Sequence, residues 1–445
     1  MPFEQPSGAC GGATGLPVGL HRSGTLTSIR GHNMNNGSNL IIGLDVGTTK
    51  ICTVVAEIDR ATRSVRVIGM GHAPSRGLRK GVVVNMDGAV ESIVKSIEDA
   101  EKMANVEIHS VFAGITGGHI KSFNSRGVAA VGERGEITEK DVERAIAAAR
   151  AVSLPADREI LHTIPQEFTI DGQNGIKEPT GMAGVRLEAE AHIITGAITA
   201  TQNIIKSINR AGFEVEDIVL ESLASSIAVL SEDEKNSGVI LIDIGGGTTD
   251  VVVFHRGSIN QSHVLAVGGD HVTNDVSIAL RVPITLAEEI KKAHGSAMED
   301  RVDPEEEIEI PTGADRLPAR YSRRELARVI ELRMAEILSL VRRHVDRSGV
   351  RRFLGSGVVL TGGACLTEGT VELAQKIFNL PVRIGKPTGI SGIAEALDSP
   401  LYATGAGLAQ YGYRSRMEGK TSRFKGTSRI AGIVDRVRQW LTSRF

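Results

Sequence analysis

The sequence predicts an α/β fold of two similar lobes, with an α/β insertion in the first lobe. The main reason is an internal repeat in which an aliphatic strand ends in Asp, a Gly–Thr turn follows and a second aliphatic strand begins. The repeat occurs as LIIGLDVGTTKICTVV, from Leu40, and as VILIDIGGGTTDVVVF, from Val239. Asp45 and Asp243, the aspartates of the two copies, are 198 residues apart. Helical periods alternate with strand-like runs between them, which is typical of an α/β protein.

Composition narrows the class of protein. The chain has 445 residues, 41% of them hydrophobic and 23% charged, as expected for a soluble globular protein of two or three domains. The net charge of −2 disfavours a generally basic nucleic-acid binder. Three widely separated cysteines exclude a disulfide framework and a Cys-based zinc cluster, and so indicate a reducing cytosol. No run of 18 apolar residues and no signal-peptide core is present.

Helical periods locate the insertions. After the third strand, apolar residues fall on one helical face, and a second helix starts at Thr138 with Asp141 in its first turn. In the second half, the helix LAEEIKKAHG precedes an acidic stretch at 299–309, which we interpret as a solvated loop. A long helix then opens with a capping box at Ser322 and Glu325.

These patterns predict a domain plan that begins with a disordered extension rich in Gly, Ser, Asn and Thr. The predicted segments are the extension at 1–38, lobe 1 at 39–87, 173–237 and 396–413, its insertion at 88–172, lobe 2 at 238–275 and 346–395, a second insertion at 276–345, a basic linker at 414–427 and an amphipathic helix at 428–445.

The two Gly–Thr turns carry the predicted chemistry. Glycines let backbone N–H groups point at phosphate oxygens, threonine hydroxyls add donors, and an aspartate at a strand end can hold Mg²⁺ through water. One such turn alone is most often a simple hairpin, but two matching turns can bind the β- and γ-phosphates of a nucleotide from both sides. The candidate phosphate residues are Asp45, Gly47, Thr48, Thr49, Lys50, Asp243, Gly245, Gly246, Gly247, Thr248 and Thr249, with Asp45 and Asp243 as the candidate metal ligands.

Two weaker features complete the candidate nucleotide site. The turn TGGA follows an aliphatic strand, and its small residues would let adenine and ribose approach the backbone. A glutamate and a lysine three residues apart on one helical face can bond the nucleoside, or simply pair with each other in solvent. The candidate nucleoside residues are Gly362, Gly363, Ala364, Glu288 and Lys291. The P-loop motif of other nucleotide-binding proteins does not occur in the sequence.

Five segments, in order, resemble the signatures of the actin/hexokinase/heat-shock-chaperone ATPase superfamily. They are IIGLDVGTTK, VLESLASSIAVL, LIDIGGGTTDVVVF, VVLTGGACLTEG and LYATGAGLAQYG. Within it, residues 40–445 resemble the FtsA family of bacterial cell-division proteins, in which an insertion at this place replaces actin's small subdomain. The resemblance implies a duplicated actin-like (ribonuclease-H-like) two-lobe fold, with the first insertion as subdomain 1C and the second as subdomain 2B. The family has proline where Ser222 stands, which leaves open whether Glu221, a candidate catalytic carboxylate, positions a lytic water.

The same resemblance implies an adaptor that binds ATP and Mg²⁺ and forms filaments on the cytoplasmic face of the cell membrane at the septum. Subdomain 1C would supply a contact between protomers, and subdomain 2B would receive the C-terminal peptide of the tubulin-like protein FtsZ. Downstream division proteins would be further partners, and nucleic acid would not. Any ATPase activity would be weak at most.

The C-terminal segment predicts a membrane contact. Residues 414–445 carry a net charge of +7, whereas the preceding residues carry −9. Within residues 428–445 the apolar residues share one helical face, as in helices that lie in a membrane interface: Ile430, Ile433, Val434, Val437, Trp440, Leu441 and Phe445. One copy would bind an anionic surface weakly, and a filament with many copies would bind through avidity. Docking of this helix onto the protein itself or a partner groove is the alternative.

The same fold also occurs in proteins with other functions, and each of these requires features that the sequence can be checked for. A small-molecule kinase would need a carboxylate acting as general base and a substrate pocket, and Glu221 is its weak candidate. A chaperone ATPase would need a large domain after Tyr413, where only 32 residues follow. A pilus-assembly or rod-shape homologue of actin is a further alternative, and the position of the insertion argues against the rod-shape protein.

Overall fold

The computed structural model describes residues 39–59, 64–132, 135–310, 319–347 and 349–417. The predicted extension at 1–38 and the predicted helix at 428–445 lie outside the described residues, as do all seven candidate membrane residues.

The strands, in chain order, are β1 (Leu40–Val46), β2 (Lys50–Asp59), β3 (Ser64–Pro74), β4 (Leu78–Arg79), β5 (Val82–Val83), β6 (Ser110–Ile115), β7 (Lys121–Ala130), β8 (Arg158–Ile170), β9 (Gln173–Ile176), β10 (Arg186–Ala197), β11 (Glu214–Leu220), β12 (Val239–Ile244), β13 (Thr249–His255), β14 (Ser258–Leu265), β15 (Glu307–Ile310), β16 (Ala319–Ser322), β17 (Val358–Thr361), β18 (Val382–Ile384) and β19 (Ile390–Gly392). The helices are α1 (Met86–Ala104), α2 (Glu139–Arg150), α3 (Ile198–Arg210), α4 (Glu221–Val229), α5 (Glu232–Ser237), α6 (Gly269–Leu280), α7 (Ile284–His294), α8 (Arg323–Arg347), α9 (Thr370–Phe378) and α10 (Ala403–Met417).

The two lobes repeat one sheet topology. In lobe 1 the order is β11-β6-β1-β2-β3-β19, with β1, β2 and β3 antiparallel and β6 and β11 added parallel to β1. In lobe 2 the order is β14-β13-β12-β17-β18, again three antiparallel strands followed by two parallel ones. The central strands β1 and β12 are aliphatic on both faces because helices cover both sides of each sheet. The duplication predicted from the repeated motif is therefore present.

The inserted subdomain differs from its predicted bounds of 88–172. It is a four-stranded antiparallel sheet of order β7-β10-β8-β9, covered by α2. The helix α1 and strand β6, predicted to lie in the insertion, belong to lobe 1, because the apolar face of α1 packs on β3 and β6 pairs with β1. Conversely, β10 was predicted in lobe 1 and lies between β7 and β8. As predicted, α2 starts after Thr138, whose backbone and side chain both donate to Asp141.

Two further bounds differ from prediction. Strand β19 lies within the segment predicted for lobe 2, but it pairs with β3 at the edge of the lobe 1 sheet. Helix α10 continues to Met417, beyond the predicted start of the linker at 414, because Arg416 donates to the Leu40 carbonyl and pairs with Glu216 at 2.7 Å.

The second insertion contains α7, α8 and the hairpin of β15 and β16. The start of α8 agrees with the prediction, since the Glu325 amide donates to the Ser322 hydroxyl at 3.4 Å. The acidic stretch, predicted to be a solvated loop, is partly paired with basic residues. Arg323 donates to Glu306 at 2.9 Å and to Glu368 at 2.7 Å, which fixes the stretch to the base of α8.

Two helices connect the lobes behind the cleft. Helices α4 and α10 cross so closely that a Cβ on Gly407 would lie 1.9 Å from the Ala224 carbonyl oxygen. Helix α10 also packs on β1, where a Cβ on Gly43 would meet the Gly405 carbonyl at 2.6 Å. This small-residue crossing carries the hydroxyls of α4 and α10 to the end of β12, at the floor of the cleft.

Candidate functional site

The two Gly–Thr turns face each other directly. A Cβ added at Gly246 would lie 2.2 Å from Cγ2 of Thr49, and one at Gly247 would lie 2.5 Å from Oγ1 of Thr48. Glycine is needed at both positions because any larger residue would collide with the opposite lobe. The turns that the repeat predicted to act together are therefore in contact across the cleft.

Four carboxyl groups lie beneath these turns, three of them buried and Asp243 partly buried. Burial raises the pKa of Asp45 to about 6, helped by the nearby Asp243 and opposed by Lys50. Burial likewise raises the pKa of Asp250 to about 7, although the Thr116 hydroxyl donates to it at 2.6 Å. The pKa of Asp243 is raised by the same cause. The arrangement concentrates acidic groups where water is scarce, which favours a cation between them.

Glu221 is the fourth carboxyl group. It begins α4 and is buried, and its Oε1 has no hydrogen-bond partner. Burial raises its pKa well above the ordinary value, and Asp45, Asp250 and Asp243 add to the rise. An unsatisfied buried carboxyl oxygen is costly, so Glu221 fits a site that receives a cation or water.

Two hydroxyls that the sequence analysis missed hold Asp243. Ser225 on α4 donates to its Oδ2 at 2.7 Å, and Thr404 on α10 donates to the same oxygen at 3.4 Å. The two hydroxyls also lie 3.0 Å apart. Both belong to segments that resembled the superfamily's connecting helices, and that resemblance was the available signal. They fix the direction in which the carboxylate points.

Three of the predicted phosphate residues have protein partners of their own. Lys50 Nζ donates to the Leu401 carbonyl at 2.6 Å and lies 4.5 Å from the Tyr402 ring centroid. The Thr249 hydroxyl is buried and donates to the Val267 carbonyl at 2.8 Å. Thr48 accepts from the Gly81 amide at 2.9 Å. Lys50 and Thr249 thus secure the two turns in this structure.

The glycines at the start of the two turns determine the shape of the turns, and helix α6 supports the second turn from below. Gly47 and Gly245 shape their turns, and the Gly245 amide bonds the Thr248 carbonyl at 3.0 Å. Helix α6, which the sequence analysis did not connect with the site, starts against this turn. Its Gly269 and Asp270 amides donate to the carbonyls of Gly245 and Gly246 at 2.9 and 2.8 Å. The signal for it was the GGD sequence at 268–270, separated by two residues from the end of β14.

The nucleoside candidates gather beside α6. A Cβ on Gly269 would lie 3.3 Å from Cβ of Ala364 and 3.7 Å from Nζ of Lys291, so the two predicted segments meet there. Lys291 and Glu288 pair at 2.5 Å, and Thr273 bonds both. Hydrogen bonds to these neighbours lower the pKa of Glu288, although burial acts in the opposite sense.

The TGGA turn at 361–364 lies against the start of the second Gly–Thr turn. Gly362 has φ +84°, and a Cβ there would lie 2.4 Å from Oδ1 of Asp243. A Cβ on Gly363 would lie 2.9 Å from Cδ2 of Leu401. All five nucleoside candidates therefore border one cleft with the phosphate candidates.

The residues present fit a triphosphate with Mg²⁺. The unsatisfied Glu221 oxygen and the acidic floor favour a cation, and the turns present glycine-lined backbone. Among the described residues, no three His, Cys, Asp or Glu side chains are close enough to hold a metal ion together. Within the same described ranges, no helix is long and apolar enough to cross a membrane.

Comparison with known proteins gives two family matches. The model described as "Cell division protein FtsA" matches residues 240–407, and "SHS2 domain inserted in FTSA" matches residues 117–195. The second match covers the inserted sheet.

Curated relatives extend the match to most of the chain. The cell division protein FtsA of Pseudomonas aeruginosa is 45% identical over 411 residues, which cover 91% of this chain and 98% of that protein. The FtsA of Escherichia coli is 38% identical, with 91% and 98% covered, and that of Bacillus subtilis is 38% identical, with 88% and 87% covered.

Solved structures share the fold. A PilM–PilN type IV pilus biogenesis complex chain has a TM-score of 0.60 at 14% identity, covering 84% of this chain and 98% of that one. MreB5 of Spiroplasma citri bound to ADP has a TM-score of 0.50 at 17% identity, with 84% and 96% covered. These likenesses confirm the predicted actin-like two-lobe fold, and the curated relatives settle the family: the chain belongs to the FtsA family of cell-division proteins.

Proposed function

We propose that the protein is an ATP-binding, filament-forming adaptor that tethers the FtsZ ring to the cytoplasmic membrane. The observation that carries the nucleotide part is the direct contact of the two glycine turns across the cleft. A triphosphate between them would touch both lobes, so its binding would favour one closed arrangement of the lobes. That arrangement would set the shape of the protomer that polymerises.

Different residues of the cleft would bind different parts of the nucleotide and its metal ion. Asp45 and Asp243 would position Mg²⁺ through water. The phosphates would be held by Gly47, Thr48, Thr49, Gly246, Gly247 and Thr248. When bound, Mg²⁺ would neutralise phosphate charge. Glu221 would orient water near the γ-phosphate. Burial and the neighbouring carboxyl groups raise its pKa, which disfavours the charged base and fits slow hydrolysis.

The tether is proposed from the sequence of the tail and from the family. Residues 428–445 combine an apolar face with flanking arginines, and many copies on one filament would bind an anionic leaflet by avidity.

The second insertion would receive the C-terminal peptide of FtsZ. Here α6 and α8 expose Ile278 and Leu332, which offer apolar contact area to such a peptide. Downstream division proteins would join at the septum.

Two measurements test the proposal separately. Calorimetry with ATP and Mg²⁺ should detect binding to the parent and a large loss in Asp243→Ala, because the floor of the cleft loses a ligand. Equal binding by both would refute the nucleotide site. In sedimentation with anionic vesicles, the full chain should pellet with the vesicles, whereas a chain ending at 427 should stay in the supernatant. Equal sedimentation of the two would refute the tether.

A further inference from the structure

The inserted subdomain is hydrogen-bonded to the lobe to which it is not covalently connected. Its chain leaves and re-enters lobe 1, yet its strands lie against β14, the edge strand of the lobe 2 sheet. On β8, the Gln166 side-chain amide donates to the Ile259 carbonyl at 2.6 Å, and the Gln166 backbone carbonyl accepts from the Ser258 hydroxyl at 2.9 Å. Lys177, just after β9, donates to that hydroxyl at 2.8 Å. We call this contact with β14 the seam.

The seam continues along β14 beyond these residues. Ser122 on β7 donates to the Ser262 carbonyl at 2.6 Å, and the Nε2 of His192 lies 2.8 Å from the Ser262 hydroxyl. Val264 and Leu161 of the inserted sheet both belong to an apolar cluster that also includes core residues of lobe 1 such as Ile115. Since Gln166, Ser258, Ser262 and His192 are buried, separating the seam would leave several polar groups unsatisfied.

The connections to lobe 1 contain the residues that a hinge needs. The chain enters the insertion through Gly117 and Gly118 and leaves it through Gly196, and Gly117 has φ +129°, where other residues are strained. Arg158 joins the two connections by donating to the carbonyls of His119 and Thr195 at 2.8 and 3.0 Å. A further contact with lobe 1 is the Leu220 amide, which donates to His162 at 3.0 Å.

The entrance to the insertion also reaches the nucleotide cleft. Thr116, directly before Gly117, donates to Asp250 of lobe 2 at 2.6 Å in a buried position. Its carbonyl lies 2.8 Å from the position of a Cβ on Gly81, whose amide donates to Thr48 in the first turn. A movement of one turn relative to the other therefore acts on the base of the insertion.

We propose that the inserted subdomain moves with lobe 2, and not with lobe 1, when the cleft closes, hinging at Gly117–Gly118 and Gly196. This proposal rests on the nucleotide-driven closure proposed above. Its consequence is that the nucleotide sets the position of the inserted subdomain relative to lobe 1, and so controls any protomer contact which that subdomain makes.

Distances between nitroxide labels on the full chain test the proposal. With Cys10→Ser as background, labels at Glu91→Cys on α1, Val128→Cys on β7 and Gln375→Cys on α9 report lobe 1, the insertion and lobe 2. All three positions are exposed, and the native Cys52 and Cys365 are buried. On addition of ATP and Mg²⁺, the 91–375 and 91–128 distances should shift and the 128–375 distance should not. A shift in 128–375 with a constant 91–128 distance would overturn the proposal.

Seam variants separate this proposal from the proposed function. Without nucleotide, Gln166→Ala with Lys177→Ala should broaden the 128–375 distribution, because the insertion loses contacts to lobe 2. The matched control, Gln173→Ala with Lys140→Ala, changes the same residue types at exposed positions of the insertion and should leave it narrow. An unchanged 91–375 distance on nucleotide addition would refute closure alone. A seam variant with the parental width would refute the inference about the seam.

Discussion

Gly246→Ala should weaken nucleotide binding by keeping the cleft open. The new Cβ would lie 2.2 Å from Cγ2 of Thr49, whereas carbon atoms in contact need about 3.5–4.0 Å. Overpacking of this kind costs about 1–3 kcal/mol. The two nearest atoms belong to Thr49 of the opposite lobe and the third to Asp270 of the same lobe, so most of the cost falls on the closed arrangement. A penalty confined to the binding-competent state raises the apparent Kd by the same factor, about 5–150-fold.

The adjacent glycine and the opposing threonine provide the controls. At Gly245 the nearest atom to an added Cβ is the Thr248 carbonyl oxygen at 3.4 Å, an ordinary contact within the same turn. Gly245→Ala should therefore raise the Kd far less. Adding Thr49→Ala to Gly246→Ala removes the colliding methyl group and should recover most of the affinity. In calorimetry with ATP and Mg²⁺, a parental Kd for Gly246→Ala, or no recovery in the double variant, would refute the close approach of the turns.

Three further predictions concern the cleft floor and the tail. Ser225→Ala should raise the Kd for ATP and Mg²⁺ about tenfold, because Asp243 loses a charge-assisted hydrogen bond. The control Ser226→Ala loses only a bond to the Leu223 carbonyl and should leave the Kd unchanged. Equal Kd values for the two variants would contradict the positioning role of Ser225. Asp250→Asn should stabilise the nucleotide-free protein at pH 8. With its pKa raised from 3.8 to about 7, the folded chain keeps a proton that the unfolded chain releases, so stability falls as pH rises from about 4 to 7, and thermal melts of the variant should show a smaller fall. Trp440→Glu should reduce sedimentation with anionic vesicles far more than Gln439→Glu, which adds the same charge one residue away; similar losses would argue for charge alone.

The two-lobe fold was predictable because its signal is local and occurs twice. Each copy places an aliphatic strand, an aspartate and a glycine turn in continuous sequence, so one pattern specified β1–β2 and β12–β13 together. The bounds of the insertion were not predictable in this way. The apolar face of α1 shows that the helix is covered, but not whether lobe 1 or the insertion covers it, since that depends on pairing between distant strands.

The sequence singled out the positions of the candidate site that need glycine for close approach, and missed the positions that hold ordinary residues. Gly246 and Gly247 stood out in the sequence, whereas Ser225 and Thr404 resemble any hydroxyls in small-residue helices. Their contact with Asp243 spans 18 and 161 residues and exists only after the lobes pack. Two adjacent threonines of one turn, Thr248 and Thr249, also could not be separated, although strand alternation sends the hydroxyl of Thr249 to the Val267 carbonyl.

The cost of the acidic floor explains why these contacts occur together. Asp45, Asp243, Asp250 and Glu221 all have raised pKa values, so the fold without a ligand holds carboxyl groups in a place that disfavours their charge. A cation-bearing ligand would relieve that penalty only when both lobes enclose it, because two of the four groups come from each lobe. The same carboxyl groups that lower the stability of the empty protein would thus supply the free energy of closure. Asp250 accepts a hydrogen bond from Thr116, which lies at the entrance to the insertion. The free energy of closure would therefore act directly on the inserted subdomain, which contacts both lobes.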